Sequence, residues 1–160
     1  RAVRALRPAR SLYAVCAVEN CLAADASEAL CALAAEHPAL RYINLQGNLL
    51  QDEGTEALLR GLRAAAGARR GALEVLCLAD NDLSDLAAAS LACAARDACR
   101  DGEGRHGEEG DIHGQPLCRL RELDLSGNRL EDLSLVLPVA TGGAPLELLN
   151  LSRNRFSDLL

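Results

Sequence analysis

Apolar residues recur along the chain in one short frame: apolar-x-x-apolar-x-apolar-x-x-Asn-x-apolar. It reads Leu12, Val15, Ala17, Asn20, Leu22, then Leu40, Ile43, Leu45, Asn48, Leu50, then Leu73, Leu76, Leu78, Asn81, Leu83. It continues with Leu120, Leu123, Leu125, Asn128, Leu130 and with Leu146, Leu149, Leu151, Asn154, Phe156. The central alternation has period two, so each frame predicts a short strand with its apolar side chains on one face. Past each frame the period lengthens. Gly54, Leu58, Leu59 and Leu62 recur at helical spacing, as do Ala26, Leu30 and Ala34, and Ala87, Leu91 and Ala95. Strands are therefore expected near residues 13–18, 41–46, 74–79, 121–126 and 147–152, and helices near 26–36, 55–66 and 86–98. The fourth unit holds Pro138, Gly142, Gly143 and Pro145, which predicts a short helix or an irregular turn.

Five of the seven asparagines, Asn20, Asn48, Asn81, Asn128 and Asn154, occupy the same frame position. An asparagine there follows the strand, where the chain turns. Its amide supplies two donors and an acceptor for backbone groups that a buried turn would leave unpaired. The frames begin at 12, 40, 73, 120 and 146, at intervals of 28, 33, 47 and 26 residues. A unit of this size accommodates a strand and a helix, and such repeats are the signature of a solenoid. Over nearly its whole length the chain resembles the ribonuclease-inhibitor-type family of leucine-rich repeats. The resemblance implies an α/β fold: a horseshoe arc with parallel strands on the concave side and helices on the convex side. Ala87 and Ser134 stand where that family has glycine. One repeat cannot bury enough apolar surface to fold alone, so neighbours must stack cooperatively. Residues 1–160 are read as a single repeat segment carrying an acidic, glycine-rich insertion at 97–117. Methionine is absent, Val3, Leu6 and Pro8 look like the end of an earlier repeat's helix, and Leu159-Leu160 end the chain without a polar cap. A segment of a longer array is expected.

Composition narrows the function. The net charge is −6 with 2% aromatic residues, which speaks against a nucleic-acid reader needing a basic patch and stacking platforms. No apolar run approaches the ~18 residues of a membrane span. All 17 basic residues are arginine, which together with the alanine excess is read as base bias in the gene. Arg1, Arg4, Arg7 and Arg10 are read as the solvated face of a repeat helix, in preference to a targeting peptide. Seven cysteines form no CxxC pair. Cys16 and Cys77 share a strand position two coils apart, about 10 Å at the spacing of strands and beyond disulfide reach. Cys31 and Cys93 fall in the helices, where a free thiol behaves as a small hydrophobe. An odd count without a framework points to a reducing compartment.

Other motifs dissolve in this frame. Cys99, His106, His113 and Cys118 match no zinc spacing, so no metal and no cofactor is expected. Gly102-x-Gly104-x-x-Gly107 follows a helix and opens none, against the context of a dinucleotide fingerprint. Asp80-Asn-Asp82-Leu-Ser84 lacks the glycine of a calcium loop. Asn150-Leu-Ser152 spells a glycosylation sequon only as a by-product of the strand. His37, before Pro38, is expected to be solvated. The insertion reads as a flexible acidic loop or an arm that touches a partner. A shorter Arg-rich insertion, 63–70, occupies the same edge one repeat earlier.

The outward strand positions are expected to carry binding: Ala14, Cys16, Val18; Tyr42, Asn44, Gln46; Val75, Cys77, Ala79; Glu122, Asp124, Ser126; and Leu148, Asn150, Ser152. Of these, Tyr42, Asn44, Gln46, Val75, Cys77, Glu122, Asp124 and Leu148 are the candidate partner contacts, Tyr42 being the one aromatic. The face is shallow, and no catalytic set or phosphate loop assembles on it. A non-enzymatic, intracellular protein-interaction scaffold within a larger assembly is expected, with protein partners and neither nucleic acid nor a small-molecule substrate. A GTPase-activating protein similar to the Ran-activating family would need an early-repeat arginine beside polar contacts, where these rows are apolar. The sensor region of an innate immune receptor would need a nucleotide-binding domain outside this segment.

Overall fold

The computed structural model of the chain describes residues 12–23, 26–37, 39–66, 73–96, 117–142 and 144–157. Each frame forms one three-residue strand: β1 (Ala14–Cys16), β2 (Tyr42–Asn44), β3 (Val75–Cys77), β4 (Glu122–Asp124) and β5 (Leu148–Asn150). The five strands lie side by side in chain order, all parallel. Their register is straight. Ala14, Tyr42, Val75, Glu122 and Leu148 form one row, and Cys16, Asn44, Cys77, Asp124 and Asn150 the next. Between successive strands run the helices α1 (Ser27–Glu36), α2 (Gln51–Ala66), α3 (Asp85–Arg96) and α4 (Leu133–Thr141). The result is an α/β solenoid with an open sheet.

The core lies between sheet and helices. In the three middle coils every frame residue is buried, from Leu40, Ile43, Leu45 and Leu50 to Leu120, Leu123, Leu125 and Leu130. Helical residues Leu30, Leu58, Leu91 and Val136 close it from the other side. The first and fifth frames are only part-buried, because each has a described neighbouring coil on one side alone. Helices approach closely where Gly61 faces α1: a Cβ there would stand 2.2 Å from the Cys31 carbonyl oxygen.

Several local expectations are corrected. Helix α2 begins at Gln51, four residues earlier than its apolar stripe, with Asp52 and Glu53 in its first turn beside the positive end of the helix dipole. Of the two alternatives expected for the fourth unit the short helix is the one found: nine residues including Pro138, started by Asp132, whose carboxylate accepts the Ser134 N–H at 2.8 Å. His37 is buried, 2% exposed, and not solvated. The turn that closes through the Leu40 N–H to its carbonyl at 3.0 Å folds the ring inward. Cys93 is exposed on α3 and does not pack as a hydrophobe.

The frame asparagines tie each coil to the one before it. Asn48 Oδ1 accepts the backbone N–H groups of Asn20 and Leu22 at 3.0 and 2.9 Å, and its Nδ2 donates to the carbonyls of Ala17 and Leu45. Asn128 repeats the pattern with the N–H groups of Asn81 and Leu83, both at 3.0 Å, and the carbonyls of Leu78 and Leu125. Asn81 and Asn154 serve the preceding coils through Leu50 and Leu130 in the same way. Among the described residues, the exposed side chain of Asn20 bonds the Val18 carbonyl of its own coil. The residue before each asparagine turns left-handed in all five coils: Glu19, Gly47, Asp80, Gly127 and Arg153, with φ between 52° and 68°. At Gly127 a Cβ would also stand 1.9 Å from Asp80 Oδ1.

A second ladder joins the coils outside the sheet. Asp52 accepts the Ser84 N–H at 2.9 Å and its hydroxyl at 2.6 Å, and Asp85 accepts the N–H groups of Glu131 and Asp132. These aspartates stand four residues after the frame asparagine, as do Asp132 and Asp158. Removing a shared amide orphans buried N–H groups of the preceding coil and carbonyls of both coils, so Asn128→Ala and Asn81→Ala should each cost ~1–3 kcal/mol in urea melts. Asn20→Ala, which orphans no neighbour among the described residues, should cost about 0.5 kcal/mol or less. Equal losses at the three positions would contradict a ladder acting between coils.

Candidate functional site: the open strand face

The straight register turns single positions of the frame into rows running across the coils at about 4.8 Å per step. The third frame position gives Ala14, Tyr42, Val75, Glu122 and Leu148. Tyr42 is 37% exposed and Leu148 49%, while Val75 is half-buried between them. Glu122 is exposed in the same row. The second row holds two thiols and three polar groups: Cys16, Asn44, Cys77, Asp124 and Asn150. The third expected row is only partly open. Gln46 is half-accessible and Ser152 exposed, but Ala79 and Ser126 are buried. Ala79 and Ser126 lie at the turn of coils with described neighbours on both sides, where a side chain of one or two heavy atoms is covered, whereas Ser152 belongs to the last described coil.

Polar groups of the second row fold back on their own coils. Asn44, Asp124 and Asn150 each accept, through Oδ1, the backbone N–H two residues on, from Gln46, Ser126 and Ser152 at 3.0, 2.8 and 3.2 Å. Asn44 is thus held in place by the strand exit and is not a free surface amide. Asp124 Oδ2 also accepts from Asn150 Nδ2 at 3.1 Å, across one coil. Gln46 Nε2 reaches Asp80 Oδ2 at 3.4 Å. These bonds fix the side chains before any partner arrives, which lowers the entropy lost on binding.

A third set of residues escaped sequence reasoning. The residue after the first leucine of each frame forms a row of Tyr13, Arg41, Glu74, Arg121 and Glu147, whose backbones bond successively from coil to coil. Its charges alternate. Arg41–Glu74 and Arg121–Glu147 are ion pairs at 2.7 Å. The pairs are exposed and each contributes about 0–1 kcal/mol, but they give the entry edge of the sheet a fixed charge pattern. Tyr13, 66% exposed, ends this row. The signal was present as the residue type at one frame position. On the exit side Arg153 reaches over Gly127 to Asp80 at 3.2 Å.

Each coil thus repeats a strand, a left-handed step, a shared asparagine and a helix. The leucine-rich repeat model matches at residues 119–140, and a second leucine-rich repeat model matches at 37–59. Each match covers one such coil, from the frame into its helix. This is a leucine-rich repeat protein. No curated protein matches the chain. Leucine-rich repeat domains generally mediate protein–protein interaction.

The chemistry of this leucine-rich repeat surface is that of a platform. Among the described residues no group of three or more His, Cys, Asp or Glu could hold a metal ion. No helix among them is long and apolar enough to cross a membrane. Cys99, His106 and His113, and all of the acidic insertion before residue 117, lie outside the described residues. Two open grooves, ≈ 420 and ≈ 340 Å³, flank the exposed Leu86 at the start of α3 and share Asp52. Their aspartates Asp52 and Asp85 already accept backbone donors of the next coil, which is a structural task.

Cys77 stands at the centre of the strand face. Burial pushes its thiol up from the ordinary value, and the negative charges of Asp124 and Asp80 push in the same direction, against a hydrogen bond from the Ala79 backbone. At neutral pH it is a protonated thiol, a poor nucleophile. Alkylation of Cys77 by iodoacetamide, followed by peptide mass spectrometry, should still be accelerating at pH 9. Asp124→Asn removes a charge that disfavours the thiolate while keeping the acceptor for Ser126. It should therefore shift that profile to lower pH and raise the rate at pH 8. A profile unchanged by Asp124→Asn would remove Asp124 from the environment of the thiol.

Proposed function

We propose that this chain is a non-catalytic protein-interaction scaffold that engages its partner through the strand face. The carrying observation is the uncovered row Tyr42, Val75, Glu122 and Leu148, held in register by buried ladders. Around it Asn44, Gln46 and Asp124 are locked by hydrogen bonds. An exposed aromatic and an exposed leucine within about 14 Å are the apolar anchors that dominate interface energy, ringed here by ordered polar groups. The surrounding surface is shallow and its central thiol protonated, which suits contact better than catalysis. The strand-plus-helix coils, with repeat starts 28 and 33 residues apart, suit the ribonuclease-inhibitor type of repeat. The cysteine usage suits a reducing, intracellular setting, and a subunit or segment of a larger assembly is the role proposed there.

Affinity capture from the native cell, with wild-type and variant chains as bait, tests this. Tyr42→Ala should weaken capture of the principal partner by ~2 kcal/mol or more, with an unchanged melting curve. Deleting 101–116 should leave the fold intact, since Leu91 of α3 and Leu120 of the following frame, on either side of it in sequence, both belong to the core. Identical partners at identical yields for wild type, Tyr42→Ala and the deletion would move the binding surface to the helices.

A further inference from the structure

Among the described residues, the acids that flank the strand face in the middle and last coils are paired, but those at its centre are not. Glu74, Glu147, Asp80 and Asp82 each have a guanidinium partner, from Arg41, Arg121, Arg153 and Arg129. Glu122 and Asp124 are the only acids within the five strands, which contain no basic residue. Neither has an ion pair among the described residues. Asp124 accepts only neutral donors, Ser126 N–H and Asn150 Nδ2, so its charge is solvated by dipoles and not cancelled. Glu122 is exposed, with Val75 and Leu148 directly beside it in its row. An apolar row interrupted by one unpaired carboxylate, with a second carboxylate two residues along the same strand, has a definite complement.

We infer that the strand face takes a protein segment carrying an arginine or lysine between two apolar side chains, the cation seated on Glu122 and Asp124. This rests on the strand face being the binding surface. The dimensions agree. Tyr42 to Leu148 spans three strand spacings, about 14 Å, and in an extended chain residues four apart on one face are separated by about 13 Å. A segment laid across the strands places one apolar side chain on Tyr42 and Val75, the basic residue over Glu122, and a second apolar side chain on Leu148. An acidic segment or a nucleic acid would meet the same carboxylates with like charge. Arginine also matches carboxylates in a fork that lysine lacks, so it is the preferred cation.

A library of random 12-residue peptides displayed on phage, selected on the purified wild-type chain and on Glu122→Arg, decides the matter. Wild type should enrich arginine or lysine with apolar residues two positions to either side. Glu122→Arg should lose those peptides and enrich aspartate or glutamate at the same place. A synthetic winning peptide should bind Glu122→Gln about tenfold more weakly, the effect of one charge-assisted hydrogen bond, and should weaken as salt rises. If peptides depend on Tyr42 but show no basic preference and bind Glu122→Arg equally, the cation seat is refuted while the strand face stands. If no selected peptide is sensitive to Tyr42→Ala, the strand-face assignment falls and the cation seat falls with it.

Discussion

At the turn where a middle coil leaves the sheet, backbone N–H and C=O groups of two adjacent coils converge in the interior, out of reach of water at Asn81 and Asn128. A single asparagine amide answers both. Its oxygen takes N–H groups of the coil before and its nitrogen gives to carbonyls of both coils, as at Asn48 and Asn128. Because the amide is shared, no coil is satisfied until its neighbour is in place. That is the structural origin of cooperativity in such a stack, beyond the apolar area that neighbours bury. The left-handed residue before each asparagine belongs to the same device, since it aims the amide back across the sheet. Glycine fills that step at Gly47 and Gly127. Elsewhere Glu19, Asp80 and Arg153 accept a backbone cost of about 1 kcal/mol, so the geometry outweighs the local preference.

Sharing amides also fixes register, and register writes the surface. With every strand aligned, a residue type at one frame position becomes a neighbour of the same position one coil away. Alternating charge at Arg41, Glu74, Arg121 and Glu147 is then attractive from coil to coil, where a run of like charge would repel. Positions that the ladders do not constrain, above all the row of Tyr42, Val75, Glu122 and Leu148, are left free to differ between coils. The difference there is where specificity can reside. The rigid part of the molecule therefore specifies the spacing of contacts, and the unconstrained row specifies their chemistry.

The strand positions, the strand order and the packing stripes were legible in the sequence because each depends on one periodicity carried by large apolar side chains. Leu30, Leu58 and Leu91 announced their helices for that reason. What the pattern hid was short and polar. The start of α2 at Gln51 depends on the turn and on Asp52 and Glu53, not on apolar spacing. The aspartate four residues after the asparagine recurs in four of the five coils, at Asp52, Asp85, Asp132 and Asp158. It was obscured because one member lay inside a sequence resembling a calcium loop. Burial of His37, Ala79 and Ser126 could not be read from alternation, since it follows from how tightly a turn closes. The strand face was legible as a set of positions. Its division into locked polar groups, paired charges and two unpaired acids required the contacts between coils.

Coil length and strand register are decoupled in this molecule, and that bears on how it can diversify. Repeat starts are separated by 28, 33, 47 and 26 residues, yet every strand pairs with its neighbour without a slip. The extra residues of the second and third units enter between helix and strand, after the asparagine and aspartate ladders have closed and before the next leucine begins. Nothing in either ladder senses how many residues intervene. Loop closure costs grow only slowly with length, so an insertion there changes the edge of the solenoid at little expense to its core. The strand face and that edge can accordingly be altered one at a time: by substitution within a row, or by insertion beside it.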